Sequence, residues 1–205
     1  MGLVGALLLT GMLAQGSISW TSGVLNTPIP DNNPVGIWSA TSSLGSSGQF
    51  VTGITVGLNV SGGFNSDLYA YLVSPTGTLV TLLNQPATAY GSSMNVTLLS
   101  SGGANGNLAS AGSGALTGSY TVSGLSAFET GSVAANGAWT LFFADLSAGG
   151  TSKLNGWSLD LTVVPEPVAW ALGIFGMVLG TGLAIRERAS LRKLATRINA
   201  WLDAV

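Results

Sequence analysis

Residues 50–60 read FVTGITVGLNV, and their alternation decides the fold. Ile54, Val56, Leu58 and Val60 fall on one side of an extended chain, and Thr55, Gly57 and Asn59 on the other. Successive side chains of a strand point to opposite faces, so this is a strand with one buried face. Working toward the C-terminus, residues 67–73 set Leu68, Ala70 and Leu72 against Tyr69, Tyr71 and Val73. Both faces are apolar, as in a strand with neighbours on either side. Ser74-Pro75-Thr76-Gly77 then makes a tight turn, because proline presets φ and glycine accepts φ > 0. Residues 78–83 return to complete a hairpin.

The same signals recur on both sides. Residues 35–40, 94–99 and 119–122 are shorter strand candidates. Residues 138–144 carry Trp139, Leu141 and Phe143, and residues 154–163 carry Trp157, Leu159, Leu161 and Val163. Residues 100–118 are nearly all Gly, Ser, Ala and Asn, too little apolar surface to offset ordering entropy, and read as a loop. No 3.6-residue period runs through residues 17–163. About eight short strands with Gly-rich turns predict an all-β domain, a two-sheet sandwich.

Composition sets the compartment. Charged residues make up 7% of the 205-residue chain, against roughly 25% in an average soluble protein. With neither Cys nor His, disulfides, thiolate chemistry, a Ser-His-Asp relay and the commonest zinc ligand are all excluded. Between residues 17 and 164 the one cation is Lys153, facing Asp31, Asp67, Glu129, Asp145 and Asp160. Beyond Ile185 stand Arg186, Arg188, Arg192, Lys193 and Arg197, against Glu187 and Asp203. An acidic body and a basic tail predict opposite sides of a membrane, and the body has almost nothing to pair with the phosphates of a nucleic acid.

Both ends carry targeting signals. Residues 1–16 read as a signal peptide: an apolar run over 3–13, then Ala14-Gln15-Gly16, although no Lys or Arg precedes the run. At the other end, Val164-Pro165-Glu166-Pro167 is followed by an uncharged apolar run over 168–185. Those roughly eighteen residues give about 27 Å of helix, just enough for a bilayer core of about 30 Å. Arg186 and Arg188 then stop transfer and set the tail in the cytoplasm and the body outside. In residues 189–205, Leu191, Leu194, Ile198, Trp201, Leu202 and Val205 line one face at helical spacing. This amphipathic tail either lies on the anionic inner leaflet or is simply solvated.

No catalytic constellation is visible. The acids of the body are scattered, and no spacing forces two of them onto one face. Calcium is the best polar hypothesis, because it takes carboxylate, amide and backbone oxygens. Its candidates are Asp31, Asn65, Asp67 and Asp145. Against it, Asp and Asn at strand ends also cap turns through their own backbone. Trp139 and Trp157 read as core. Trp38, Tyr69 and Tyr71 would stack on a sugar if exposed, and Tyr69 and Tyr71 share a face.

Two family resemblances cover most of the chain. Val164-Pro165-Glu166-Pro167, the apolar run and Arg186-Glu187-Arg188 together resemble the PEP-CTERM sorting signal of Gram-negative bacteria. The resemblance implies recognition by an exosortase in the inner membrane and release to the cell surface or exopolysaccharide matrix. The second lies in Ile29-Pro30-Asp31-Asn32-Asn33-Pro34, Ser66-Asp67-Leu68, Leu72-Val73-Ser74-Pro75-Thr76-Gly77-Thr78, Asn136-Gly137-Ala138-Trp139-Thr140-Leu141 with Asp145, and Gly156-Trp157-Ser158-Leu159. These resemble the P domain (Homo B domain), which implies a jelly-roll β-sandwich of about eight strands and a stabilising or adhesive role. Some P domains bind calcium. The proteolytic activity of the enzymes that carry this domain does not transfer to a chain without histidine.

The expectation is an exported, non-enzymatic surface or matrix protein serving adhesion, cohesion or exopolysaccharide association, alone or with other surface proteins. The alternatives are a permanently anchored accessory module for a secreted partner such as a protease, and a glycan-binding, lectin-like domain.

Overall fold

The computed structural model describes residues 15–86, 91–165 and 167–202. It divides into two compact units, one ending at Pro165 and one beginning at residue 166. The first is all β. In chain order its strands are β1 (Gly16–Thr21), β2 (Thr27–Ile29), β3 (Asn33–Ala40), β4 (Gln49–Gly62), β5 (Leu68–Val73), β6 (Leu79–Asn84), β7 (Ser93–Leu99), β8 (Leu116–Thr121), β9 (Thr140–Asp145) and β10 (Ser152–Pro165). They form a six-stranded sheet in the order β1-β10-β4-β7-β8, with β2 also on β10, and a four-stranded sheet in the order β3-β9-β5-β6. All ladders are antiparallel except β7–β8, which is parallel.

Alternation does what residues 50–60 predict. Ile54, Val56, Leu58 and Val60 are buried, in register with Leu161, Leu159, Trp157 and Leu154 of β10. The four-stranded sheet supplies Leu68, Ala70, Leu72, Leu141 and Phe143 to the same buried cluster. Trp139 and Trp157 are core, as expected. The Trp157 indole N–H donates to Ser39 Oγ of β3 at 2.8 Å, a polar tie between the sheets. The β5–β6 hairpin closes through Gly77, at φ +87°, whose N–H donates to the Ser74 carbonyl at 3.0 Å.

Several expectations need correction. Two strands, β1 and β2, add to those read from the sequence. Residues 100–118 are not wholly loop: they hold a 3-10 turn at Leu108–Ser110 and the start of β8, whose parallel partner β7 gives it regular pairing despite Gly118. Val164 and Pro165 end β10 opposite Phe50 and Gln49, and Pro167 opens the helix α1 (Pro167–Leu202). Proline is tolerated at these positions because a strand end and a first helical turn can spare its missing N–H. Glu166 and most of the expected signal peptide lie outside the described residues.

The tail is not a separate helix. α1 runs unbroken for 36 residues, because Arg186-Glu187-Arg188-Ala189 are good helix formers with no glycine or proline to stop them. Ile174, Phe175, Met177, Val178, Leu179, Leu183 and Ile185 are exposed along it. Among the described residues, no helix is long and apolar enough to cross a membrane. The run 168–185 enters that description incompletely, since the side chains of 168–172 and 184 lie outside it.

Candidate functional site

Two features of the four-stranded sheet bear on function: an acidic corner at one end and an aromatic outer face. The corner is made by register. Asp145, the last residue of β9, sits opposite Asn33 at the start of β3 and Leu68 at the start of β5. The residues just before those two strands include Asp31 and Asp67. Three strand ends therefore bring together three carboxylates that lie far apart in the chain.

Asp145 is fully buried. Its Oδ1 accepts the Ser147 N–H at 3.3 Å, and its Oδ2 has no partner. Burial pushes the Asp145 carboxyl above the ordinary carboxylate range, and the charges of Asp67 and Asp31 push the same way. The backbone N–H groups of Ser147 and Asn32 oppose the shift. Asp31 is exposed, and its Oδ1 accepts the Gly149 N–H at 3.2 Å, which folds the 146–151 turn over the corner. The Asp67 Oδ1 accepts the Ser66 hydroxyl at 3.1 Å, and the Leu146 N–H donates to the Asp67 carbonyl at 2.9 Å.

Asn65 turns toward the other sheet. Its Nδ2 donates to the Ser93 carbonyl at 2.9 Å and the Gly114 carbonyl at 3.5 Å, while its buried Oδ1 has no partner. All the donors at the corner are oxygens, the set a hard cation such as Ca²⁺ prefers. Among the described residues, no three acidic groups stand close enough to hold one ion as arranged. The fit to a cation thus rests on the orphaned Asp145 oxygen and on the mutual repulsion a cation would relieve.

The aromatic face follows from the same register. Trp38 pairs with Phe142, Phe142 with Tyr71, and Tyr71 with Thr81, so the four point outward in one row across the sheet. Phe142 is covered by its neighbours: Tyr71 stacks on it at 4.7 Å between centroids, Trp38 tilts over it at 4.8 Å, and Tyr69 lies at 6.3 Å. Trp38 remains 59% exposed on the edge strand β3. A shift of register between Asn33 and Ile37 includes Gly36, at φ +55°, where a Cβ would collide with the Phe143 carbonyl oxygen and press the Phe142 ring. Burial, with Tyr69 beside it, raises the Tyr71 phenol above its usual value, so it stays a donor at any physiological pH. The sequence reading put Trp38, Tyr69 and Tyr71 forward but missed Phe142, the ring that joins them. It also missed Glu129, whose carboxylate accepts the Ile54 N–H at 3.1 Å.

Comparison with known proteins identifies the body. The model of the proprotein convertase P-domain matches residues 51–161, from β4 into β10. The chain belongs to this family. P domains are accessory domains of proprotein convertases and are not catalytic by themselves. Among solved structures, the fold is similar to a serine protease of Aeromonas sobria in complex with the chaperone ORF2, at 16% identity and a TM-score of 0.43. It is similar also to that serine protease alone, at 16% identity and a TM-score of 0.42. Each match covers 74% of this chain and 27% of the other, so the chain spans about a quarter of their length. No curated protein matches the chain.

Proposed function

We propose that this chain is an exported, non-enzymatic surface protein: a P domain outside the cell, held by α1 in the inner membrane with its basic end in the cytoplasm. It is then sorted by an exosortase to the cell surface or exopolysaccharide matrix, where the domain serves adhesion or cohesion. The observation that carries this reading is α1 itself. A helix with Ile174, Phe175, Met177, Val178, Leu179, Leu183 and Ile185 all exposed needs an apolar surround, and a bilayer provides one. The sequence run 168–185 has the length, and Arg186 and Arg188 follow it as positive-inside charges. Val164-Pro165-Glu166-Pro167 precedes it at the membrane face, where the sorting signal would be processed.

A second reading is an anchored accessory module that docks on a secreted partner such as a protease, and membership in the P-domain family favours it. In either case the acidic corner would take Ca²⁺ by drawing Asp31 and Asp67 in toward the partnerless Asp145 Oδ2, with carbonyls and water completing the shell. The ion would neutralise the corner and lock the starts of β3 and β5 to the end of β9.

Intact mass and fractionation of the host protein, with and without the exosortase, test the sorting reading. A surface form ending near Pro165 in the wild type, with the full-length form kept in the membrane of the deletion strain, is the expected result. If both strains keep residues 185–205 attached, the sorting reading falls and the accessory-module reading takes its place.

A further inference from the structure

We propose that the outer face of the four-stranded sheet binds a neutral polysaccharide, with Trp38 and Tyr71 as the surfaces on which sugar rings stack. The inference rests on the reading of the domain as an exported surface module and names the ligand class and the face. Trp38 is exposed but not loose: it is braced by Phe142 at 4.8 Å and by Tyr71 at 5.7 Å, edge to face. A large ring fixed by other rings offers contact area at little cost in side-chain entropy. The negative face of such a ring attracts the polarised C–H groups of a pyranose. Around it lie the half-buried Tyr69 and Tyr71 and the exposed Thr81 and Asn84, hydroxyls and an amide suited to sugar hydroxyls.

Charge selects the occupant. β3, β5, β6 and β9 carry no Asp, Glu, Lys or Arg except Asp145, which is buried at the corner. Residues 17–164 hold only Lys153 against five acids, Asp31, Asp67, Glu129, Asp145 and Asp160. Polyanions, whether nucleic acid, acidic polysaccharide or anionic lipid, find no counter-charge here and meet net repulsion. Protein interfaces are enriched in Arg as well as in aromatic rings, and this face offers the rings without any Arg. An uncharged, hydroxyl-rich polymer is the occupant that matches both the rings and the missing charge.

Affinity electrophoresis of the full chain in detergent tests this, using gels cast with dextran, a β-glucan, mannan or galactomannan, and with alginate as the acidic control. Retardation by at least one neutral polymer is expected, weakened about tenfold or more by Trp38→Ala. Trp38→Tyr should keep part of the binding, and Thr97→Ala on the opposite sheet all of it. A melting temperature close to wild type shows that Trp38→Ala still folds. Retardation in no neutral polymer, retardation by alginate alone, or binding indifferent to Trp38 overturns the proposal. So does a concentration-dependent dimer that Trp38→Ala abolishes without any glycan binding, which would make a second copy the occupant. A surface-located protein that ignores neutral glycans sinks this inference and spares the sorting reading. A glycan-binding protein retained full length at the membrane does the reverse.

Discussion

The two sheets of the sandwich share one core but turn different chemistry outward. On the six-stranded sheet, outward rows read Ser19, Asp160, Thr55 and Thr21, Ser158, Gly57, Thr97, with Asn59 and Asn95 beside them. The Asn155 Nδ2 donates to Asn59 Oδ1 at 3.0 Å, and the Ser61 hydroxyl donates to Asn155 Oδ1 at 3.1 Å. That face satisfies itself with short polar side chains and leaves water as its neighbour. The outward row of the four-stranded sheet is Trp38, Phe142, Tyr71 and Thr81. There Phe142 is 6% exposed, covered by the rings of Trp38, Tyr69 and Tyr71. In a chain this poor in charge, one face is kept soluble by hydroxyls, and the other holds a small aromatic cluster outside the core.

The sharpest test of this contrast is Phe142→Ala. Its ring is as buried as a core residue, so its loss should cost about 3 kcal/mol or more, like a core truncation. Chemical denaturation monitored by tryptophan fluorescence measures it. A cost under about 1 kcal/mol would mean that the rings merely adorn the surface. The variant should also free Trp38, so the emission of that exposed indole should shift to the red even where the protein stays folded.

What the sequence shows and hides follows the same division. The core face was legible wherever alternation was strict, as at Ile54 to Val60, because period two is a local property of the chain. β1 was not, since only Ile18 and Trp20 face inward among Ser17, Ser19 and Thr21, too few apolar residues to mark a strand. β8 is interrupted by Gly118 and leans on β7 in parallel, a pairing with no local signature. The shared face of Tyr69 and Tyr71 could be read; their contact with Phe142, some seventy residues away, depends on the β5–β9 register. The acidic corner was hidden for the same reason. Asp31, Asp67 and Asp145 each stood out as a turn residue, but only Asn33↔Asp145 and Leu68↔Asp145 put them at one place.

The corner leaves a buried Asp145 oxygen without a partner, and a cation there should stabilise the fold. Calcium at about a hundredfold its dissociation constant would add about 2.7 kcal/mol. Asp145→Asn should abolish that gain while keeping its carbonyl for the Ser147 and Asn32 N–H groups. In chelator, Asp145 sets a pH dependence of definite sign. Its folded pKa lies above its unfolded value, so the folded state binds the extra proton. Its contribution is therefore greatest below the ordinary aspartate value of about 4 and is lost as pH rises through the raised pKa. Urea midpoints between about pH 3.5 and pH 7 should show this slope in wild type with chelator, and Asp145→Asn should flatten it. A calcium response that survives in Asp145→Asn would move the site away from this corner.

The smallest expected effect lies on the hydroxyl face, and its smallness is informative. Thr97 stands opposite Gly57, which has no side chain to pack against it, and opposite Ser119 on the parallel partner. It is exposed, and its strand is held by main-chain ladders on both sides. Thr97→Ala removes little buried area and no core contact, so stability should stay within about 0.5 kcal/mol of wild type. Neutral-glycan retardation should also stay unchanged, because the sugar-binding rings lie on the other sheet. Were Thr97→Ala instead to cost more than about 1.5 kcal/mol, the face could not be an ordinary solvated surface. The hydroxyl rows would then be packed against something, and the division of labour between the sheets would have to be redrawn with the polar face as the partnered one.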